Sequence, residues 1–277
     1  MKGDEKKHLS ASLSELIEKF SQNDVIAEME KEYQSAPAKL VNIASIVDNH
    51  FISGVKIAKS VIEYFSSTLK EKGVFNPLVV TPIGEKFEVV LGRKRFLGAK
   101  KAGLVSLPCV IKEMSEEEEL LILLAYNRDQ RESNVLEMAL ICSSLQKRFG
   151  YTQQMLASLS HQSRCQITNT LRLLRLSPEL QEEVSLGKLT YGHAKAIASL
   201  SPEEMAKTAK EIHERKLSVR ETERFVSGKK AGANHGEDAC VYDIPHLKSL
   251  KISGNSVKLN FTSEEGKNAF LRGFCRK

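Results

Sequence analysis

The segment from Thr152 to Leu176, TQQMLASLSHQSRCQITNTLRLLRL, carries side chains suited to contact with nucleic acid. Its pattern predicts a short helix, a polar break and a second helix over 163–175. On that second helix Ile167, Leu171 and Leu174 recur at the spacing of one helical face, which we expect to pack inward. The other side then presents amide, hydroxyl and guanidinium groups, which can donate to and accept from the edges of bases.

The charge around this segment has the sign that duplex DNA requires. Between Leu145 and Leu180 there are five basic residues and one acidic residue, about +4 in total. Positive charge on a helix-turn-helix pattern favours DNA binding over the alternative, a plain helical pair with a solvated polar face. His161 occupies a turn position where glycine is common, so its backbone has to adopt an awkward angle. The predicted DNA-binding residues are Gln153, Gln162, Ser163, Arg164, Gln166, Thr168, Asn169, Arg172 and Arg175.

A second candidate site lies at Gly92-Arg93-Lys94-Arg95, after a predicted strand and at the start of a predicted helix. The N–H groups of a helix start, together with three cations, can hold an anion such as a phosphate. The alternative is a basic first turn that is only solvated. A third polar segment, NRDQRE (127–132), is expected at the end of a helix. No catalytic residue is predicted, because the sequence around 92–95 lacks a paired acid, base and nucleophile.

Length and composition restrict the class of protein. The chain has 277 residues, enough for two or three domains, and a formal net charge of +6. It lacks an apolar stretch of 18 residues and an apolar core behind its charged first residues, so we expect neither a membrane span nor a secretory signal. The five cysteines are widely spaced with no CxxC pair, which predicts reduced thiols and no structural metal.

The elements that would position these sites fall into successive segments. We predict a flexible arm over 1–40, a small α/β domain over 41–114 and an all-α domain over 115–227. A glycine-containing linker over 228–240 then leads to a short ββα domain over 241–277. The predicted fold class is therefore α+β and mostly helical.

Periodicity and turn residues predict the individual elements within these domains. VNIASI (41–46) is expected to be a strand, 78–91 a hairpin, and 93–102 a helix closed by Gly103. A capping box at Ser115 starts the all-helical part. Further helices are predicted at 134–149, 152–158, 163–175, 179–186, 191–199, 202–215 and 218–227.

The terminal ββα domain, of roughly thirty residues, is too small to bury a core of its own. Self-association would supply the missing contacts, so we expect this domain to associate with another copy of itself. The predicted dimerisation residues are Ile252, Val257, Leu259, Phe261, Phe270 and Leu271.

Taken together, these segments resemble the ParB family of chromosome- and plasmid-partition proteins. GVFNPLVV through GRKRFLGAKKAG resembles the family's N-terminal domain with its GERRxRAAKxAG box. TQQMLA…SRCQITNTLRLLRL resembles its helix-turn-helix, and GKLTYGHAKAIASL with LSVRETERFV resembles the helices that follow. The resemblance covers about Val41 to Val226 and resumes in the terminal ββα domain.

The resemblance implies a role in chromosome partition. It implies a homodimer that binds a centromere-like inverted repeat in double-stranded DNA, spreads onto neighbouring DNA and works with a ParA-type ATPase, which the arm Met1–Phe20 would contact. Condensin is a further candidate partner, and the expected location is the cytoplasm, on the nucleoid. The resemblance also implies CTP with magnesium as a cofactor.

The sequence departs from the family's nucleotide motifs. Arg93 replaces the glutamate of the GERR box, and Tyr126 replaces the acidic residue of an ENxQR motif. The segment VDNHFISGVK also lacks the family's Pro-Arg pair. Loss of these carboxylates removes oxygen ligands for a hard cation, which argues against CTP hydrolysis more than against phosphate binding. The candidate nucleotide-binding residues are Gly92, Arg93, Lys94, Arg95, Asn127 and Arg131.

Two other functions fit part of the same pattern. A nucleoid-occlusion or transcription-regulator relative would share the DNA-binding core, and would occupy promoters rather than broad regions around an origin. A nucleotide-using enzyme with a sulfiredoxin-like or kinase-like fold would share the phosphate-binding segment, and would transfer a labelled phosphate.

Overall fold

The structure of the protein is a computed structural model that describes residues 37–129, 134–233, 247–253, 256–261 and 264. Most of the predicted arm lies outside these described residues, as do Arg131 and the predicted terminal helix with Phe270 and Leu271.

A five-stranded mixed sheet forms the first part of the described chain. Its strands are β1 (Lys39–Asn42), β2 (Ile46–Val47), β3 (Leu78–Ile83), β4 (Lys86–Leu91) and β5 (Ser106–Ile111), and its helices are α1 (Lys59–Lys72) and α2 (Arg93–Ala102). The strand order is β1-β5-β3-β4-β2, and the predicted hairpin is the antiparallel pair of β3 and β4. The predicted helix after it is confirmed, with Gly103 as its C-terminal cap.

The prediction of one strand over VNIASI was wrong. Its first residues belong to β1, which pairs with β5, whereas Ile46 and Val47 pair with β4 near the opposite edge of the sheet. The chain therefore has to cross the sheet within this segment. It does so through a 3₁₀ turn, Ile43–Ser45, whose first N–H groups are capped when the Asn42 side chain accepts from the Ala44 N–H at 2.9 Å.

Alternation along the strands gives the sheet two buried faces. Leu78 and Val80 of β3 pack on the side of α1 and α2, with Phe96 of α2 buried in the same core. The helices approach each other closely at Gly98, where an added β-carbon would lie 2.6 Å from Cβ of Phe65. Val79, between Leu78 and Val80, packs in the core on the other face of the sheet.

Helices cover that other face and continue to the end of this part of the chain. They are α3 (Glu116–Asp129), α4 (Val135–Phe149), α5 (Gln153–Leu159), α6 (Arg164–Arg172), α7 (Pro178–Ser185), α8 (Tyr191–Ile197), α9 (Pro202–Arg215) and α10 (Val219–Ala233). The predicted capping box at Ser115 is present, because its N–H and hydroxyl both contact the Glu118 carboxylate. Ser177 and Ser201 cap α7 and α9 ahead of a first-turn proline, as predicted. The predicted fold class is confirmed.

The set of residues that α6 and the turn after it bury differs from the prediction. Ile167, Thr170 and Leu173 are its buried residues, whereas Leu171 and Leu174 are only partly buried. The helix tightens after Arg172 into a 3₁₀ turn, Leu173–Arg175. Three residues per turn bring Leu173 into line with the two buried positions before it.

The start of the predicted linker is helical, because α10 extends to Ala233. The glycines of GKKAGA (228–233) favour a linker, but its lysines and alanines favour a helix. Each glycine costs a helix about 1 kcal/mol relative to alanine, a penalty that good helix formers around it can offset.

An antiparallel hairpin follows, from β6 (Leu247–Ser253) to β7 (Ser256–Phe261). Its register pairs Ile252 with Val257 and Leu250 with Leu259, while Lys251 pairs with Lys258. The two strands of the predicted ββα domain are therefore confirmed, and apolar positions oppose apolar positions along the ladder.

Within the described ranges, no helix has the length and apolar character needed to cross a bilayer. Cys109 and Cys142 are buried free thiols, and burial raises their pKa values to about 11 and about 12. Cys165 on α6 is an exposed free thiol.

Two buried carboxylates lie between β4, α3 and the loop after β2. Glu88 and Glu119 are 2% and 3% exposed. The Asn49 amide donates to Glu119 at 2.5 Å, and the His50 N–H donates to Glu88 at 2.5 Å. Burial of Glu119 raises its pKa to about 7, with the charge of Glu88 adding to the effect. The loop at 49–50 is therefore fastened to the sheet through Glu88 and to α3 through Glu119.

We expect Glu119→Gln to remove part of the pH dependence of stability. Because the pKa of Glu119 is raised in the folded state, its protonation stabilises that state fully below the unfolded pKa of about 4.5. This stability is lost as pH rises through about 7. Between pH 5 and pH 8 the variant should therefore gain roughly 2 kcal/mol in unfolding free energy relative to wild type. Urea denaturation across this range measures the difference. Glu113→Gln, at an exposed carboxylate, is the matched control. The prediction would be contradicted if the unfolding free energies of Glu119→Gln and wild type changed with pH in parallel.

Candidate DNA-binding surface and anion cavity

The helices α5 and α6 are joined by a tight turn, as a helix-turn-helix requires. In this turn the Gln162 N–H donates to the Ala157 carbonyl at 3.0 Å. His161 has a φ of 52°, so the predicted awkward backbone angle is confirmed. Leu156 on α5 and Ile167 on α6 are both fully buried in one core, which fixes the two helices against each other.

A capping box defines the start of α6. The Ser163 hydroxyl accepts from the Gln166 N–H at 3.1 Å, and the Ser163 N–H donates to the Gln166 side-chain oxygen at 2.7 Å. Both residues were predicted to contact DNA, and both have a structural task at this helix start. The Ser163 hydroxyl proton and the Gln166 amide N–H groups are not used by the box, so both can still donate to DNA.

The predicted polar side of α6 lies at the surface. Ser163, Arg164, Gln166, Arg172 and Arg175 are exposed, and Gln162, Thr168 and Asn169 are partly exposed. The Asn169 amide contacts the Cys165 sulfur at 3.7 Å. All of the predicted residues on and beside α6 are therefore at least partly accessible, and we call them together the α6 surface.

Gln153 joins the α6 surface from the first turn of α5. Its side-chain oxygen accepts from the Thr168 hydroxyl at 2.8 Å, and the same hydroxyl lies 2.8 Å from the Arg164 carbonyl. A hydroxyl has one proton, so Thr168 has little donor capacity left for a base. The contact instead orients Gln153, whose amide N–H groups remain for a DNA phosphate.

Arg128, which is not among the predicted site residues, supports the turn between α5 and α6. Its guanidinium donates to the Leu159 carbonyl at 3.2 Å and lies 3.4 Å from Nε2 of His161. The segment NRDQRE was predicted only as a polar helix end. Nothing in that segment indicates that Arg128 contacts a residue more than thirty positions further along the chain.

A cavity of about 540 Å³ opens between α1, the start of α2 and the end of α3. Its lining residues are Ser60, Val61, Tyr64, Phe65, Gly92, Arg93, Lys94, Arg95, Tyr126 and Asn127. Gly92 has a φ of 99°, a conformation that only glycine adopts readily between a strand and a helix. Every candidate nucleotide-binding residue within the described ranges therefore borders this one cavity.

The cationic side chains at the cavity differ in where they point. Arg93 is buried, and its guanidinium contacts the carboxylates of Asp48 and Glu137. Arg95 contacts the carbonyls of Asn76 and Pro77, the latter at 3.1 Å. Arg93 therefore offers the cavity its main-chain N–H, while its charge is balanced inside the protein.

The cavity suits a phosphate better than a magnesium ion. The first N–H groups of α2 have no partner within the helix, and Lys94 and Arg95 add positive charge beside them. Among the described lining residues there is no carboxylate, and Asn127 uses its amide N–H on the Leu123 carbonyl. Magnesium prefers carboxylate oxygens. These residues fit a nucleotide's phosphates and do not supply a magnesium site.

We expect the contact between Thr168 and Gln153 to stabilise the helix pair. Thr168→Val keeps the shape but removes the hydroxyl, and Gln153→Ala removes the acceptor. In a double-mutant cycle on the free energy of unfolding, the coupling should be about 1 kcal/mol. The exposed Gln154→Ala is the control, and its cycle with Thr168→Val should give no coupling. Strict additivity of Thr168→Val and Gln153→Ala would show that the contact contributes nothing.

Two family models match the chain. The ParB N-terminal domain matches residues 27–128, and the ParB HTH domain matches residues 131–231. The helix α3 therefore falls within the first match apart from its last residue, and α4 to α10 fall within the second apart from the last residues of α10.

Curated relatives match over much of their length. The probable chromosome-partitioning protein ParB of Coxiella burnetii is 31% identical over 199 residues, which are 70% of this chain and 69% of that protein. The corresponding protein of Campylobacter jejuni is 30% identical over 238 residues, 86% of this chain and 84% of that protein.

Two solved structures of a truncated ParB from Caulobacter crescentus are also similar. One is complexed to the centromeric parS site, with 32% identity, 69% of this chain and 99% of that chain covered, and a TM-score of 0.42. The other is complexed with CTP-gamma-S, with 32% identity, 61% and 97% coverage, and a TM-score of 0.32. On the family models and curated relatives together, the chain belongs to the ParB family of chromosome-partitioning proteins.

Proposed function

We propose that this protein binds a centromere-like inverted repeat in duplex DNA through the α6 surface and acts in chromosome partition. The observation that carries this proposal is the α6 surface itself, where hydrogen-bonding side chains are exposed opposite a fully buried Ile167. An α-helix of this kind fits the major groove, where each base pair presents a distinct pattern of donors and acceptors.

Different residues of the α6 surface have different tasks in this proposal. Asn169 and Arg172 stand one turn apart and are the candidates for base contacts, because an amide and a guanidinium can each contact one base with two hydrogen bonds. Arg164 and Arg175 lie at the two ends of the segment and would contact phosphates. Gln153 would contact a phosphate from the start of α5.

The complex of the Caulobacter crescentus protein with the centromeric parS site supports parS as the first duplex to test. The partition role would further involve spreading on DNA, association with the nucleoid and cooperation with a ParA-type ATPase. Condensin is a secondary candidate partner of the DNA-bound protein.

The anion cavity is proposed to bind a nucleotide by its phosphates, through the start of α2, Lys94 and Arg95. The complex of a relative with CTP-gamma-S supports CTP as the nucleotide to test. Hydrolysis is not part of the proposal, since no described lining residue is acidic. Phosphate binding needs only the N–H groups and cations that are present.

The homodimer is proposed to form through the terminal ββα domain. Paired apolar positions along β6 and β7 give the hairpin an apolar ladder, and a two-stranded hairpin is marginally stable alone. A second copy of the domain would complete its core and place two α6 surfaces on the two halves of an inverted repeat.

We expect Asn169→Ala and Arg172→Ala each to weaken binding to a parS duplex by about 1–3 kcal/mol, or roughly 5- to 150-fold. Binding to a scrambled duplex should change much less, because it depends on phosphate contacts. Fluorescence anisotropy at fixed salt measures both affinities. Arg215→Ala, at an arginine paired with Glu211 within α9, is the control. If both changes at α6 leave parS affinity untouched, another surface binds the site.

Removal of residues 241–277 should convert the dimer to monomers at micromolar concentration, because the proposed interface is then absent. Analytical ultracentrifugation of the full and shortened chains measures the change. Lys251→Ala with Lys258→Ala alters the charged pair of the same hairpin and should leave the dimer intact. A shortened chain that remains a dimer would refute this interface.

A further inference from the structure

Arg93 links three segments that are distant in the sequence. Its Nε donates to Asp48 at 2.8 Å, and its Nη1 donates to Glu137 at 2.7 Å. Its Nη2 lies within hydrogen-bond distance of the carbonyls of Ser53 and Val55, at 3.2 and 2.9 Å. One guanidinium therefore holds the loop after β2, the start of α2 and the first turn of α4 together.

The charges in this cluster make the linkage durable. Burial alone would lower the pKa of Arg93, but the hydrogen bonds and negative charges of Asp48 and Glu137 more than offset it and raise that pKa. An arginine does not give up its proton in a protein, so Arg93 keeps its charge in this contact. Burial also raises the pKa of Glu137, and the Arg93 charge opposes this rise.

One of the linked segments borders the anion cavity, and another packs against the helix that carries the α6 surface. The main-chain N–H of Arg93 is at the start of α2, on the wall of the anion cavity. Glu137 belongs to α4, which packs against the DNA-binding helix α6. Val55 in the held loop is buried in the core formed by α4 and the helices after α6. The side chain is therefore placed between the cavity and the helices that carry the α6 surface.

A second ion pair fastens the same loop to the helical part. Lys56 donates to Glu182 on α7 at 2.8 Å, but both side chains are substantially exposed. Exposed pairs of this kind are screened by water and salt. Of these two sets of ion pairs, the buried Arg93 contacts are therefore the ones that solvent weakens less.

We propose that Arg93 is a positioning residue that couples nucleotide binding in the cavity to DNA binding by α6. Its N–H takes part in holding the phosphate, and its guanidinium transmits the position of the α2 start to the first turn of α4. This inference rests on the proposed function, because it concerns how the two proposed ligands affect each other. It predicts that removing the side chain abolishes the coupling even when the cavity is saturated with nucleotide.

The test compares Arg93→Met with wild type in the full chain. Calorimetry measures CTP affinity, and anisotropy measures parS affinity with and without saturating CTP. In the wild type, CTP should change parS affinity by at least about 5-fold. In Arg93→Met at saturating CTP, the effect of CTP on parS affinity should disappear, because the contact that joins the α2 start to the first turn of α4 is gone.

Glu137→Gln provides a second variant at the other end of the contact. It should also abolish the effect of CTP on parS affinity, and combining it with Arg93→Met should add no further loss. Lys56→Met, at the exposed pair, is the matched control and should keep the effect of CTP. Circular dichroism and thermal melting exclude a variant that has failed to fold.

Several outcomes would overturn the inference. Persistence of the CTP effect in Arg93→Met would show that the side chain transmits nothing, and failure of CTP to bind this variant at any concentration would show that the side chain acts on the nucleotide site itself. If wild type binds neither CTP nor parS, the proposed function fails separately. Amide exchange then decides on positioning: Arg93→Met should raise exchange at 48–58 and in the first turn of α4 together, and unchanged exchange would refute the role.

Discussion

Burial of Ile167 against α5 and the surrounding core is the constraint on which the candidate DNA-binding surface depends. A helix has only one orientation in which this side chain, Thr170 and Leu173 are all removed from water. Once they are, Asn169 and Arg172 have to lie on or near the solvent side. The polar surface is thus fixed by the apolar contacts beneath it, and the capping box at Ser163 fixes where the helix starts.

The anion cavity depends on a constraint of another kind, the left-handed backbone at Gly92. This turn ends β4 and starts α2 within one residue, so the N–H groups of the helix face the space beneath α1. Strand β4 also carries Glu88, buried in contact with the His50 N–H. The loop after β2 is thereby held at 49–50 by carboxylates and at 48 and 53–55 by Arg93, which itself lines the cavity.

Sequence patterns predicted the helices, the hairpins and the set of surface residues because these follow from local periodicity and capping. They failed where distant partners decide the outcome. VNIASI has the composition of one strand, but its two ends belong to the strands at opposite edges of the sheet. The side-chain orientation of Arg93 likewise depends on Asp48 and Glu137, each more than forty residues away. No spacing rule within one segment could have indicated either arrangement.

The replacement at position 93 has two consequences that point in the same direction. An arginine where the family's box has glutamate removes an oxygen that could contact a hard cation, and the structure shows no other carboxylate among the described lining residues. The same arginine supplies a buried cation whose partners lie outside the cavity. Loss of either carboxylate would leave that charge poorly compensated, which costs about 3–5 kcal/mol for buried pairs in general. The side chain at position 93 therefore acts on the protein around the cavity, holding the loop after β2 and the first turn of α4 at the start of α2.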